Sequence, residues 1–268
     1  MPIDVEVCLV TYANPARLQA ILAYGAPHAI VEDLSTPELS TQLQAIATKA
    51  HVPSYRQNPI WGGLQGAGQF MMEQSTADWV IYWPDDAVPT PGSVEQLTLW
   101  CQRVPDHVGA LQWPYWNLPD VLLFDSACPK TGMFDPAFPA WLRTVPLNPH
   151  WFGPAFYINL NGAGFALRRA AWLEVGGFSP ETWCLDEDIS VKLWRSGKWT
   201  VMTVPGPPLI HHGGMSTPDQ HQHGHAHNRA STIEGWHDAW HGQGKDELAA
   251  LCRVRMAEWQ AKTGFLAR

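Results

Sequence analysis

Apolar residues fall in short blocks separated by amphipathic stretches. Val5-Glu6-Val7-Cys8-Leu9-Val10-Thr11-Tyr12 is β-branched and mostly apolar, which predicts a buried strand. Asn14-Pro15 then carries a helix start, a capping Asn before a Pro at the first position, with Leu18, Ile21 and Leu22 on one face. Residues 29–33 predict a second strand, Ser35-Thr36-Pro37-Glu38 a loop and cap, and residues 38–50 a second amphipathic helix. Residues 78–83 predict a third strand that ends at Pro84-Asp85-Asp86, before a Val-Pro-Thr-Pro-Gly turn, and Pro91-Gly92-Ser93 opens a helix toward Gln102. This alternation implies a mostly parallel sheet covered by helices, whose ligands bind at the carboxyl ends of the strands. Thr11, Asp33 and Asp85-Asp86 all fall at such ends.

Farther along, regularity lapses and then returns. Nine prolines fall in residues 105–159, with Trp113, Trp116, Trp141 and Trp151 among them. This reads as a long irregular insertion with one strand at 108–113, either a binding loop or an ordinary surface excursion. Order resumes at 161–167, followed by a short helix over 168–175 that closes at Gly176-Gly177, a helix over 186–196 and a strand over 199–204. A C-terminal helix is expected at 245–262, with Leu248, Leu251 and Trp259 at helical spacing.

Composition narrows the class. The chain has 268 residues, 46% of them hydrophobic and 16% charged, which excludes a disordered chain and suffices for a sizeable core. No apolar run reaches the roughly 18–20 residues of a membrane span, and the N-terminus has no signal-peptide pattern, so a soluble, cytoplasmic protein is expected. Five cysteines without a Cys-x-x-Cys pair point to reduced thiols. The net charge of −8 disfavours broad nucleic-acid binding, unless Arg143, Arg168 and Arg169 form a local basic groove. Fifteen tryptophans suit core packing, and some of them stacking on sugar faces.

Three groups could carry chemistry. Asp85-Asp86 is either a solvated turn or, bridged by Mg²⁺ or Mn²⁺ to phosphate oxygens, a metal site. Asp186-Glu187-Asp188 either complements a helix dipole or supplies a general base. Eight of the twelve histidines lie in 211–241, where His211-His212 could ligate a metal. The alternating His221, His223, His225 and His227 read as a mobile polar loop, or else as a tract that picks up Zn or Ni.

Taken in order, these segments resemble a family 2 glycosyltransferase with the GT-A fold, from about residue 5 to 216. Val7 to Tyr12 resembles its opening strand, and Val31-Glu32-Asp33 the second strand, whose acid recognises the nucleotide base. Tyr82-Trp83-Pro84-Asp85-Asp86 resembles the Asp-x-Asp metal region, with Pro84 in place of the first acid. Val175-Gly176-Gly177-Phe178 and Leu185-Asp186-Glu187-Asp188-Ile189 resemble the segment before the catalytic acid and the Glu-Asp motif itself. Pro208-Leu209-Ile210-His211 resembles the late metal histidine.

The resemblance implies a single α/β GT-A-type domain with a Rossmann-like half, carrying the Pro/Trp-rich insertion and a C-terminal helical extension. Residues 1–104 would bind a nucleotide-sugar and 105–216 the acceptor and catalytic groups, with the His-rich loop and C-terminal helix at 217–268 packed on the same domain. It implies an inverting transfer to a hydroxyl, with Asp188, beside Glu187, as general base. Thr11, Tyr12, Asp33, Asp85 and Asp86 would hold the donor, a UDP-sugar by this reading, and Asp86 with His211 would hold Mn²⁺ or Mg²⁺. Asp186, Trp183, Trp151 and Trp116 would face substrate. The acceptor would be a carbohydrate or another hydroxyl compound, a hydroxylated DNA base being a less favoured alternative. An inactive nucleotide-sugar or glycan-binding scaffold is the competing reading.

Overall fold

The computed structural model describes residues 2–33, 35–59, 63–117, 140, 155–156, 160–179 and 185–212. The expected first strand is β1 (Val5–Thr11), and it lies inside the main sheet between β2 (Ala29–Asp33) and β4 (Trp79–Pro84). β3 (Ser54–Asn58) forms the edge beyond β2. Across β4 come β9 (Phe165–Arg168), β6 (Val108–Gln112), β10 (Thr200–Thr203) and β8 (Ala155–Phe156). Strands β3, β2, β1 and β4 run parallel, whereas β9 is antiparallel to both its neighbours. The sheet is therefore mostly parallel, as expected.

The connections follow from local sequence. Asn14 Oδ1 accepts a hydrogen bond from Arg17 N (3.0 Å), starting α1 (Pro15–Ile21) with Pro at its first turn. Thr36 caps α2 (Pro37–Lys49) in the same way through Leu39 N. Leu9, Ile30 and Ile81 on adjacent strands are fully buried, and each such side chain stabilises the fold by about 1.5–3 kcal/mol. After β1 the chain moves outward to β2 and β3, then returns to the other side of β1 as β4. That reversal opens a crevice outside the carboxyl ends of β1 and β4, where ligands of such sheets bind.

Residues 51–77, to which the sequence pattern assigns no element, hold β3 and α3 (Gly63–Gln74). A Cβ at Gly68 would approach Leu185 Cδ1 at 3.0 Å, so α3 needs this glycine to sit close to α6 (Leu185–Arg195). The glycines that lower helix propensity here serve packing instead. Two further helices, α4 (Ser93–Cys101) and α5 (Arg169–Glu174), match the expected ones within two residues.

The proline-rich turn after Asp86 holds another surprise. Ala87–Pro89 is strand β5, and β11 (Leu209–His211) lies between it and β7 (Tyr115–Asn117) in a separate three-stranded sheet. The expected C-terminal helix at 245–262 and the histidines at 221–227 lie outside the described residues. Among the described residues, no helix is long and apolar enough to cross a membrane.

Several tryptophans are core residues. Trp79, Trp83, Trp113 and Trp194 are almost wholly buried, and Trp83 Nε1 donates to Ala87 O (2.7 Å). Arg168, one of the three arginines suggested for a basic groove, is engaged within the fold. Its guanidinium lies over the Trp79 ring, 4.7 Å from the centroid, and Arg168 Nε donates to Val108 O (2.9 Å). A side chain held by backbone carbonyls and an aromatic face is not presented to a phosphate backbone. Arg143 lies outside the described residues.

Candidate active site

The crevice at the β1/β4 reversal gathers most of the candidate residues. Thr11, the last residue of β1, donates from Oγ1 to Asp85 Oδ2 (2.7 Å). Asp85 Oδ1 accepts from Arg17 Nη1 at 3.2 Å, and both side chains are buried. Asp85 N also donates to Val10 O (3.1 Å), extending the β1–β4 ladder by one residue. The Asp85 carboxylate is thus fastened inward, to β1 and α1. Burial pushes its pKa up to about 6, against the pull of Arg17 and with a further push from Asp86.

Asp86 is placed differently. Its backbone carbonyl accepts from His212 N (2.9 Å), and β11 pairs with β5 so that His211 lies opposite Ala87. This small sheet carries His211 Nε2 to 3.7 Å from Asp86 Oδ1, across 125 residues of sequence separation. Burial lowers the His211 pKa, while the Asp86 charge raises it and His212 lowers it further, so the neutral imidazole is favoured. The Tyr115 ring stands edge-on to His211, with centroids 6.3 Å apart. Trp116 follows on β7, half-buried and opposite Ile210.

Asp86 and His211 fit a divalent cation. A carboxylate oxygen and a neutral imidazole nitrogen suit Mn²⁺, and at 3.7 Å both atoms can reach one ion at about 2.1 Å. Among the described residues, no group of three His, Cys, Asp or Glu side chains could hold an ion alone. The remaining ligands would then be water and substrate oxygens, the usual arrangement for such ions on phosphates.

Asp33 closes the far side. It ends β2 in register with Asn58 at the end of β3, and Asn58 Nδ2 donates to Asp33 Oδ1 (2.9 Å). Its neighbour Glu32 is structural: Ser35 N and Ser40 Oγ donate to its two oxygens, and so does the Tyr55 hydroxyl. Tyr12 is half-buried just past β1. Tyr82 lies wholly buried on β4, stacked on Phe165 at 4.9 Å. Burial raises its pKa well above the ordinary phenol value, and the charges of Asp86, Asp85, Asp186 and Asp33 push it the same way. Four acids from three parts of the chain therefore act on this one phenol of β4.

The acids of α6 separate. Asp188 is buried, and both its oxygens accept hydrogen bonds from Ser179, Oδ2 from the backbone N (2.7 Å) and Oδ1 from Oγ (2.8 Å). Lys192 Nζ, one turn on, lies 3.3 Å from the same Oδ2. Asp186 is on another side of the helix, near Gly162, where an added Cβ would lie 3.5 Å from Asp186 Oδ2. The Glu187 side chain, Trp151 and Trp183 lie outside the described residues.

Arg17, Asn58 and Gln112 escape the sequence reading. Gln112 Nε2 donates to Trp113 O (2.7 Å) and Gly164 O (2.9 Å), while its Oε1 accepts from Asn161 N (2.6 Å). It thereby fixes the 161–164 turn. The one available signal was the spacing of Arg17 and Leu18 with Ile21, which puts Arg17 beside a buried face.

This arrangement, a parallel N-terminal half with an antiparallel β9 and an acid pair at the end of β4, is the GT-A glycosyltransferase fold. No family model matches the chain. Its sequence is 30% identical over 200 residues to a Mycobacterium tuberculosis protein named N-acetylglucosaminyl-diphospho-decaprenol L-rhamnosyltransferase, across 66% of this chain and 64% of the relative. The chain thus spans somewhat less than two thirds of that relative's length. Among solved structures, a mannosyltransferase from Pyrobaculum calidifontis in complex with GDP-Man and Mn²⁺ superposes with a TM-score of 0.57 at 15% identity, covering 99% of this chain and 77% of that one. Glucosyl-3-phosphoglycerate synthase from Mycobacterium tuberculosis, with Mn²⁺, UDP and glucosyl-3-phosphoglycerate, gives 0.53 at 14% identity, covering 93% and 80%. The resemblance to family 2 glycosyltransferases of the GT-A fold is borne out by these relatives.

Proposed function

We propose that this chain transfers a sugar from a nucleoside-diphosphate donor to an acceptor hydroxyl, with a divalent metal and with inversion. The observation that carries the reading is the meeting of Asp86 and His211, 3.7 Å apart, at the carboxyl end of β4. Asp33, steadied by Asn58, faces the nucleotide base. Thr11 and Arg17 hold Asp85, which leaves Asp86 to meet His211. Residues 1–104 form the donor half and 105–216 the acceptor half. A bound Mn²⁺ or Mg²⁺ would neutralise charge on the departing diphosphate. A carboxylate in the first turn of α6 receives the acceptor's proton.

Donor chemistry follows the relatives only as far as a nucleoside-diphosphate sugar. Those relatives include complexes with GDP-Man and with UDP, and one is named a rhamnosyltransferase. A UDP-sugar stays the first choice to test, and the acceptor is a carbohydrate or another hydroxyl compound. A DNA acceptor is the less favoured choice, Arg168 being engaged within the fold.

The test is a thermal-shift screen of UDP, GDP, dTDP and CDP, each with and without Mn²⁺. A ligand at 100 times its Kd stabilises the folded chain by about 2.7 kcal/mol, a readable shift. One nucleotide is expected to need Mn²⁺, and the shift to vanish in Asp86→Ala and weaken in His211→Ala. A folded protein that responds to none of the four overturns the reading in favour of an inactive scaffold, with Pro84 in the metal motif as its mark.

A further inference from the structure

The geometry points to Gln112 as a positioning residue for sugar transfer, one that sets the first turn of α6 at a fixed distance from the Asp86–His211 pair. The role rests on the transferase reading above, in which these two places receive the proton and hold the metal. Gln112 is the last residue of β6. Both β6 and β4 pair with β9, and Gln112 and Tyr82 stand on either side of Phe165. Gln112 therefore lies at the same end of the sheet as the crevice.

A side-chain amide this deeply buried needs partners for its oxygen and for its nitrogen. Gln112 finds them all in backbone. Its Nε2 donates to Trp113 O (2.7 Å) and Gly164 O (2.9 Å), and its Oε1 accepts from Asn161 N (2.6 Å). The turn also closes on itself: Ala163 N donates to Asn161 Oδ1 (2.9 Å) and Gly164 N to Asn161 O (3.3 Å). A second buried side chain holds the preceding residue. Ser190 Oγ accepts from Leu160 N (2.8 Å) and donates to Asp186 O (2.5 Å). One short piece of chain is thus fastened to the end of β6 on one side and to α6 on the other.

What packs on the turn gives this fastening its use. A Cβ at Gly162 would lie 3.5 Å from Asp186 Oδ2, in the first turn of α6. A Cβ at Gly164 would lie 2.6 Å from Leu209 Cδ1, and Leu209 is two residues before His211 on β11. The helix and the metal strand therefore both rest on residues 161–164. Strand β11 has further support, from β5 on one side and β7 on the other. Without Gln112 the metal pair keeps its place, and the register of α6 against that pair slackens. A misplacement of about 1 Å, made far from the chemistry, can cost about 10² in rate. Gln112 acts in this way, through the turn and without touching substrate.

The experiment follows Mn²⁺-dependent release of nucleoside diphosphate from UDP-glucose, GDP-mannose and dTDP-rhamnose by the full chain, with water or an added sugar as acceptor. The Mn²⁺-dependent nucleotide affinity is read beside it. Gln112→Met keeps the volume and removes every bond. Gln112→Glu keeps the shape and an acceptor for Asn161 N, but turns an oxygen toward two carbonyls. Both are expected to lose about 10–10² in kcat while the nucleotide Kd in Mn²⁺ stays within about twofold of wild type. Arg168→Met is the control. Arg168 ends β9 at the edge of the sheet opposite the crevice, where its Nε donates to Val108 O, and its loss is expected to lower Tm and leave kcat unchanged. Wild-type kcat in either folded Gln112 variant overturns the role; should Gln112→Met not fold, Gln112→Glu decides. A loss of kcat in Arg168→Met as large as theirs, or nucleotide affinity that falls in step with kcat, overturns it too. These outcomes leave the transferase reading standing. Absence of release and of nucleotide binding in the wild-type chain overturns both.

Discussion

Arg17 Nη1 and Asp85 Oδ1 form an ion pair at 3.2 Å beneath the crevice, with both side chains only 6% exposed. One partner comes from the first turn of α1 and the other from the turn after β4, and Thr11 of β1 completes the set. Removing one partner strands a buried charge, which typically costs about 3–5 kcal/mol. Arg17→Met is expected to lower the urea-unfolding free energy by that order. Adding Asp85→Leu to it should recover much of the loss, since an apolar pair leaves no stranded charge. A single variant as stable as wild type would show that the pair contributes little.

The same carboxyl predicts a pH dependence. Asp85 titrates near 6 in the folded chain and near its ordinary value of 3.8 when unfolded. Between these values the folded state holds a proton that the unfolded state has released. The contribution of Asp85 to stability is therefore fully present below about pH 4 and is lost as pH rises through 6, by about 3 kcal/mol at most. Urea midpoints from pH 4 to 7, without metal, are expected to show this slope in wild type and not in Asp85→Asn.

Ala13 stands between β1 and the Asn14 cap with φ of 43°, in the left-handed region. Side chains other than Gly, Asn and Asp rarely sit there, at a cost of about 1–2 kcal/mol. Ala13→Gly is expected to raise stability by about 1 kcal/mol, read as a Tm increase of a few degrees. An unchanged or lower Tm would mean that the loop relaxes without strain.

Gly164 has φ of 147°, and a Cβ there would lie 2.6 Å from Leu209 Cδ1 and 3.3 Å from Trp113. This glycine allows β11, which carries His211, to pack against the 161–164 turn. Gly164→Ala is expected to cost about 1–3 kcal/mol and to weaken Mn²⁺-dependent nucleotide binding, because the buried Leu209 side chain of β11 must move. Wild-type Mn²⁺ dependence in this variant would separate the turn from the metal pair.

The sequence was most legible where local signals agree. The Asn14-Pro15 and Thr36-Pro37 starts, the β-branched run at β1 and the apolar run at β4 all act over a few residues, and all appear where expected. β3 is a polar edge strand, with only Asn58 buried, so it lacks the apolar pattern that marks a strand. α3 was hidden by its glycines, of which Gly68 packs against Leu185 and Phe178. β5 lies in a proline-rich stretch that reads as a turn, and only β11, 120 residues away, makes it a strand.

Hydrophobic periodicity and capping, which depend on near neighbours, determined the parallel half of the sheet and the placement of Thr11, Asp33 and Asp86 at strand ends. The order of the acid motifs determined the family they resemble. Tertiary structure alone decided what each polar side chain faces. It turned Asp85 inward to Arg17 and Asp86 toward His211, and it set Asp188 on Ser179 and Asp186 beside Gly162. Adjacent acids look alike in a sequence. Their partners lie tens of residues away, and a carboxylate's role depends on which donors and charges the fold brings within a few ångströms of it.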